Sequence, residues 1–285
     1  MSFTSQKLVI VGTGLLGASI GLAVKARGLA KHVVGCGRTE TSCEAALRVG
    51  AIDAAGIDLA SAAAEADFIV IAVPPFAVIS YLEALSAFSL NGAVLTDVAS
   101  TKRLICARAA QLWPSPRPFI GSHPMAGSEK SGAAHAVESL FVNRVCFVEN
   151  SEELAPEALQ RVRSFWAALG SDVIPIDPAV HDEMLAISSH VPHIVAAAVA
   201  AMAHRHGITG RYVGGGFRDT TRIAEGNPEM WAEICLSNST AITKHLEGVG
   251  EWLEEFRRAL EAKDSARLTA LLTEGRDGRR AIFPS

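Results

Sequence analysis

The chain has 285 residues, 49% of them apolar and 20% charged, and a formal net charge of −4 at neutral pH. This is the profile of a globular protein with one large or two ordinary domains. Both signs of charge are dispersed, so there is neither the basic stripe of a nucleic-acid binder nor the polybasic patch of a membrane-surface protein.

The first apolar run, Leu8–Val24, is Gly-rich and short for a membrane span. It divides into a strand at Lys7–Gly12 and a helix that ends on Gly28. It lacks a basic leader and an early cleavage site, so no signal peptide is expected. His32–Gly37 reads as the second strand, followed by a helix with Thr41 as its cap. Asp67–Pro75 is uncharged beyond its first residue, as strands buried on both faces are. Further strands are expected at Gly92–Val98, Pro118–His123, Arg144–Asn150 and Asp172–Asp177, with helical stretches between most of them. Alternation at this spacing implies a Rossmann-type α/β domain, a mostly parallel sheet wrapped by helices.

After Asp177–Pro178 the strand-like runs stop. His181–Gly207 is a long helical pattern interrupted at Pro192. Residues 227–264 read as one or two more helices, with Asn227 and Pro228 at the cap and first helical positions. The boundary falls near residue 176, giving a dinucleotide-binding domain over 1–176 and an all-α domain over 177–285. A helical domain this small and apolar cannot bury all its faces alone, which predicts a homodimer formed through it. The five cysteines, at 36, 43, 106, 146 and 235, include no CxxC pair and predict free thiols in a reducing, cytoplasmic compartment.

The sequence "GTGLLG" matches GxGxxG, with Gly12, Gly14 and Gly17 between an expected strand and an expected helix. In that context Gly12 allows the tight turn, and Gly14 lets the backbone approach a pyrophosphate. Leu15 and Leu16 open a helix whose N-terminus faces that charge, and Gly17 lets the helix pack on the strand. A carboxylate at the end of the second strand would bind the ribose hydroxyls of NAD. Here Cys36 and Gly37 carry none, and Arg38 and Thr39 follow, a guanidinium and a hydroxyl suited to the 2′-phosphate of NADP. NAD stays possible through Glu40 if the strand ends two residues later. Val73 and Pro74, in "AVPP", end a strand at the edge of the ligand crevice, where they border the cofactor or simply start a helix.

Three stretches carry the chemistry: "TDVASTK" (Thr96–Lys102), "GSHPMAGSEKSG" (Gly121–Gly132) and "GGGFRDTTRIA" (Gly214–Ala224). With the N-terminal glycine motif and "SSHVPHIVA" (Ser188–Ala196), they resemble the prephenate/arogenate dehydrogenase family of tyrosine biosynthesis, from Lys7 to about Leu246. No further catalytic or regulatory segment is expected, so the resemblance implies a free-standing dehydrogenase. Its substrate is a cyclohexadiene dicarboxylate with a hydroxyl at C4. Hydride leaves C4, the hydroxyl loses its proton, and the C1 carboxylate departs as CO2 because its loss makes the ring aromatic.

A neutral imidazole titrates in the range such a proton acceptor needs, and the resemblance makes His123 the catalytic histidine. Pro124 restricts it to extended angles. The resemblance implies that Ser100 hydrogen-bonds near the same hydroxyl or positions His123; on its residue type alone it is equally a helix cap. Ser128 and Glu129 match positions that line or gate the pocket. Arg222 is the implied carboxylate ligand, its planar fork suited to the task, while Arg218 is expected to pair with Asp219 or to pack structurally. His193 is implied near the substrate carboxylates and His181 near the cleft between domains. His190 and His193 are three apart, but Pro192 intervenes and no cysteine joins them, so no metal site is expected. Two other readings stand beside this one: a similar two-domain reductase acting on a 3-hydroxy acid or an imine, and a non-catalytic NADP-binding sensor. Between the two cyclohexadienyl substrates, the Arg38 context leans towards arogenate.

Overall fold

The computed structural model describes residues 3–37, 39–56, 58–127 and 130–284. Its residues fall into two compact units, 1–239 and 240–285.

The first unit begins with β1 (Ser5–Val11), α1 (Leu15–Ala26), β2 (Ala30–Cys36) and α2 (Glu40–Arg48). There follow β3 (Ala54–Gly56), α3 (Leu59–Ala63), β4 (Phe68–Ile71), α4 (Pro75–Ser86), β5 (Val94–Asp97), α5 (Arg103–Leu112) and β6 (Phe119–Ile120). The six strands form one parallel sheet in the order β3-β2-β1-β4-β5-β6. Side chains alternate across a strand, and the central strands divide accordingly between two cores. Leu8, Ile10, Phe68 and Val70 pack on one face with Ala18, Val162 and Trp166. Val9, Val11, Ile69 and Ile71 pack on the other with Val78, Leu82 and Ile105. The apolar run Leu8–Val24 is thus a core strand and its helix, and the expected Rossmann-type fold is the one observed.

A second, smaller sheet was not foreseen. The run at Pro118–His123 breaks at Gly121, so that Ser122–Pro124 forms β7, which pairs antiparallel with β8 (Val145–Glu149); β9 (Asp172–Ile176) joins β8 in parallel. Gly121 permits the passage, because a Cβ there would lie 2.6 Å from Cys106 Sγ. Between β8 and β9 runs α6 (Pro156–Ala168), which carries Phe165 and Trp166 into the core. The three-residue strand β3 was also missed, since Ala-Ala-Gly carries no apolar alternation.

Then come α7 (Pro178–Leu185), a π-helical turn (Ala186–His190) and α8 (Val191–Arg205), which run without a break. The helix is therefore not interrupted at Pro192. The proline sits in the first turn of α8, and the wider π turn before it absorbs the missing N–H. α9 (Gly215–Thr221) leads through a 3₁₀ turn (Arg222–Glu225) to α10 (Pro228–Ser237). Asn227 caps α10 by accepting from Met230 N at 3.0 Å, as its sequence predicts. The cap of α2 is Thr39 rather than Thr41: its side chain accepts from Ser42 N.

The second unit holds all but the first residue of α11 (Ser239–Glu261) and the whole of α12 (Ser265–Ile282). Asp264 caps α12, and Arg267 of that helix donates to Glu255 of α11 at 2.9 Å. All five cysteines are free.

Candidate active site

The glycine motif folds as its spacing predicts. Gly12 has φ of +92° and lies so close to the end of β4 that a Cβ would sit 2.4 Å from Ala72 O. A Cβ on Gly17 would lie 1.9 Å from Gly12 O, which is how α1 seats itself against β1. Gly14, by contrast, has open space where its Cβ would be. Leu15 and Leu16 are half-buried in the first turn of α1, a turn with no acidic residue and no side-chain cap. Free backbone N–H groups at an unblocked helix N-terminus suit a pyrophosphate. The cradle therefore fits a dinucleotide. Val73 borders it, its Cγ1 2.6 Å from where a Gly12 Cβ would be. Pro74 is the exposed N-cap of α4, so the helix-start reading of "AVPP" holds at the rim of this same cleft. Thr39 is exposed while it caps α2. Arg38 and the side chain of Glu40 lie outside the described residues, as do Ser128 and Glu129.

His123 lies on β7, buried, opposite Phe147. Three anchors hold its strand. Ser122 N donates to Asp97 Oδ1 at 2.9 Å, Ser122 Oγ and Thr96 Oγ1 are 2.6 Å apart, and Gly121 N donates to Glu149 Oε2 at 3.0 Å. Both acids are themselves in buried ion pairs, Asp97 with Lys102 and Glu149 with Arg117.

The imidazole of His123 reaches the first turn of the helical segment. Its Nδ1 is 2.9 Å from His181 Nε2, and His181 Nδ1 is 2.8 Å from Asp182 Oδ1. Asp182 also caps α5 from outside it, accepting from Lys102 N at 2.7 Å and Arg103 N at 3.0 Å. That assigns the cap of α5 to Asp182; Ser100, half-buried in the loop before α5, does not fill it.

The tautomers follow from the end of this chain. An ionised carboxylate only accepts, so His181 carries its proton on Nδ1 and offers Nε2 as an acceptor. His123 then carries its proton on Nδ1, and its Nε2 keeps a free lone pair. Burial, with His181 and Lys102 nearby, holds the His123 imidazole well below the usual histidine range. His181 is also held low by burial, although Asp182 opposes the shift.

Two further histidines of this segment, His190 and His193, are used differently. His190 is buried, with burial pushing it down to about 4. His193 is stacked on Trp231, their ring centroids 3.5 Å apart and the planes 12° off parallel. Gly226 lies against that stack, for a Cβ there would meet Trp231 Nε1 at 2.4 Å and His193 Cε1 at 3.1 Å. Asn238 donates to Asp182 O at 2.7 Å and lies 3.2 Å from His190 Nδ1. Among the described residues no three His, Cys, Asp or Glu side chains converge as a metal site needs.

Arg222 opens the 3₁₀ turn packed beside α8 and is exposed. The expected ion pair of Arg218 with Asp219 does not form. Both side chains are exposed, and neither Arg218 nor Arg222 is engaged by a described carboxylate. Structure thus joins His123 to the α7–α8 segment and leaves Arg222 exposed, with no carboxylate partner among the described residues. Asp97, Lys102, Asp182, Asn238 and Trp231 were not singled out as site residues from sequence. The adjacency of His181 and Asp182 was the one available signal.

Comparison with known proteins gives a consistent picture. Residues 20–175 match the model for the prephenate dehydrogenase nucleotide-binding domain, and residues 177–274 that for the prephenate dehydrogenase dimerization domain. A prephenate dehydrogenase of Bacillus subtilis is 33% identical over 290 residues, covering 99% of this chain and 77% of the relative. Among solved structures, the prephenate dehydrogenase of A. aeolicus in complex with hydroxyphenyl propionate and NAD+ superposes with a TM-score of 0.90. It is 27% identical, with 99% of this chain and 100% of that one covered. Arogenate dehydrogenase of Synechocystis is 32% identical at a TM-score of 0.81, covering 97% and 100%.

Proposed function

The chain belongs to the prephenate dehydrogenase family and is a dehydrogenase, and on that footing we propose that it oxidatively decarboxylates arogenate, prephenate or both, using NADP. The observation that carries the reading is the buried line from Asp182 through His181 to His123, which leaves the outer nitrogen of His123 as a lone-pair base.

A nicotinamide dinucleotide, bound at Gly12, Gly14, Leu15, Leu16 and Gly17 beside Val73 and Pro74, supplies the hydride acceptor. His123 Nε2 takes the C4 hydroxyl proton as the carbon–oxygen bond gains double-bond character. The imidazolium that forms donates from Nδ1 to neutral His181, whose Nδ1–H leans on the Asp182 carboxylate. The cation is therefore stabilised where it develops, not before. When the C1–carboxylate bond breaks, its electron pair enters the ring and CO2 leaves. The C4 oxygen is then a phenolate and takes a proton back, so the reaction releases no net proton. Low basicity in the resting enzyme suits this cycle, because His123 stays neutral and ready in the physiological range.

Ser100 lies on the loop between Asp97 and Lys102 and positions the hydroxyl or His123. Arg222, exposed on the α8 side and paired with no carboxylate among the described residues, grips a substrate carboxylate, with His193 near that carboxylate. Ser128 and Glu129, which follow His123 in the sequence, match family positions that line or gate the pocket. NADP over NAD rests on the absence of a carboxylate at Cys36 and Gly37 and on Arg38 and Thr39 after them; the same context favours arogenate. The functional boundary falls near residue 176. Exposed apolar side chains on the 178–205 run, among them Ile187 and Met202, are covered in a homodimer, and the scattered free thiols fit a cytoplasmic enzyme.

An assay of NADP and NAD reduction against both arogenate and prephenate tests this. Reduction of NADP with arogenate is expected. Failure with both substrates and both cofactors would overturn the activity, and turnover with NAD alone would overturn the cofactor assignment.

A further inference from the structure

His190 has no part in the chain that primes His123, yet its chemistry is fixed as tightly. Asn238 Nδ2 donates one hydrogen to Asp182 O, a carbonyl that can only accept, so the orientation of the amide is settled. The other hydrogen of the same nitrogen points to His190 Nδ1 at 3.2 Å. That ring nitrogen must be the acceptor, and His190, neutral, carries its proton on Nε2. The Nε2 atom is buried, and no protein group among the described residues accepts from it. His190 as a whole is 1% exposed. An unmet buried donor is destabilising, which is hard to sustain at a position whose tautomer has been set by a dedicated partner.

The surroundings say what such a donor is for. The His190 ring stands edge-on to Trp231, 6.2 Å between centroids, and so flanks the His193–Trp231 stack. His193 Nδ1 is likewise buried and unmatched. The His190 N–H, with a second unmatched ring nitrogen three residues on around the same indole, suits an oxygen acceptor that arrives with a ligand.

We infer that His190 is a substrate-binding residue, donating from Nε2–H to a carboxylate oxygen of the bound cyclohexadienyl dicarboxylate beside the His193–Trp231 stack. This rests on the function proposed above. The contact is that of a neutral donor: protonation of Nδ1 would break the Asn238 bond, so His190 binds its acceptor without adding charge beside the base.

The test separates the donor from the fold. His190→Asn places an amide oxygen near Nδ1, keeping an acceptor for Asn238 while removing the outer N–H. His190→Gln places an amide N–H near Nε2. Wild type must first turn over one of the two substrates, and failure there counts against the proposed function, not against this contact. For His190→Asn the substrate KM should rise about tenfold, the loss of one hydrogen bond to a charged group. Its kcat and cofactor Kd should stay near wild type, and His190→Gln should recover most of the KM. A His190→Asn KM equal to wild type, or a His190→Gln variant no better than His190→Asn, overturns the inference. A measurement on the wild type covers the case in which His190→Asn does not fold. In the complex with substrate and reduced dinucleotide, the His190 Nε2–H resonance of 15N-histidine-labelled protein should move downfield, and an unmoved resonance overturns the inference.

Discussion

The Nδ1 of His123 lies 2.9 Å from the Nε2 of His181, joining a strand of the small sheet to the first helix after residue 177. In the proposed mechanism this contact makes His123 depend on a carboxylate it never touches. Asp182 fixes the His181 tautomer, and that tautomer decides which nitrogen of His123 is free.

Asp182→Asn tests the dependence. An amide can donate to His181 Nδ1, which would turn its Nε2 into the N–H and move the His123 lone pair to the inward nitrogen. The expected loss in kcat is on the order of 10²–10⁴, as for other histidine bases given the wrong tautomer. Substrate KM should change little. Because Asp182 also caps α5, Tm should fall modestly. A variant with lowered Tm but near-normal kcat would limit Asp182 to the cap.

Much of this was legible beforehand, and the remainder has identifiable causes. Strand β4 announces itself because a strand buried on both faces is apolar throughout, and β1, β2 and β5 do so by the apolar runs they contain. The glycine motif does so because Gly12 and Gly17 admit no side chain. Ser122–Pro124 could not be separated from the run before it, since the break depends on Gly121 meeting Cys106, a contact made by tertiary packing. His181 and Asp182 were visible as residues but not as a chain to His123, because a sequence does not say which strand end a helix start will face. Nor does it show that a carboxylate 79 residues away caps α5 in place of Ser100.

Acid should unfold the protein early. His123, His181 and His190 are all held neutral by burial, His190 down to about 4. Each depressed pKa means that the unfolded chain binds more protons between the folded and unfolded values, so stability is full above about pH 6.5 and is lost as pH falls towards 4. His190 alone contributes about 3 kcal/mol to that loss. Urea midpoints at pH 7 and pH 4.5 should differ clearly, and His190→Gln should flatten the difference; pH-independent midpoints would contradict the buried neutral histidines.

Gly17→Ala should disrupt the cofactor site. The new methyl would lie 1.9 Å from Gly12 O, so α1 must move off β1. Dinucleotide Kd should rise by more than about tenfold and stability should drop by roughly 1–3 kcal/mol, the range for an overpacked site. Titration of cofactor fluorescence reads the first and urea unfolding the second. Retained affinity would mean that the cradle adjusts.

The apolar side chains left exposed on the 178–205 run predict the oligomer. Ile187 is 55% exposed and Met202 60%. Ile187→Glu with Met202→Glu should convert a dimer into a monomer by light scattering, because burying two carboxylates against apolar surface is strongly unfavourable. An unchanged mass would place the interface elsewhere.

The most direct measurement of the central claim is the single-turnover rate of His123→Asn with saturating substrate and cofactor. Loss of the base should slow reduction of the dinucleotide by about 10²–10⁴ while substrate and cofactor still bind with near wild-type affinity. Reduction at close to the wild-type rate would contradict the account, since the hydroxyl proton would then leave by another route.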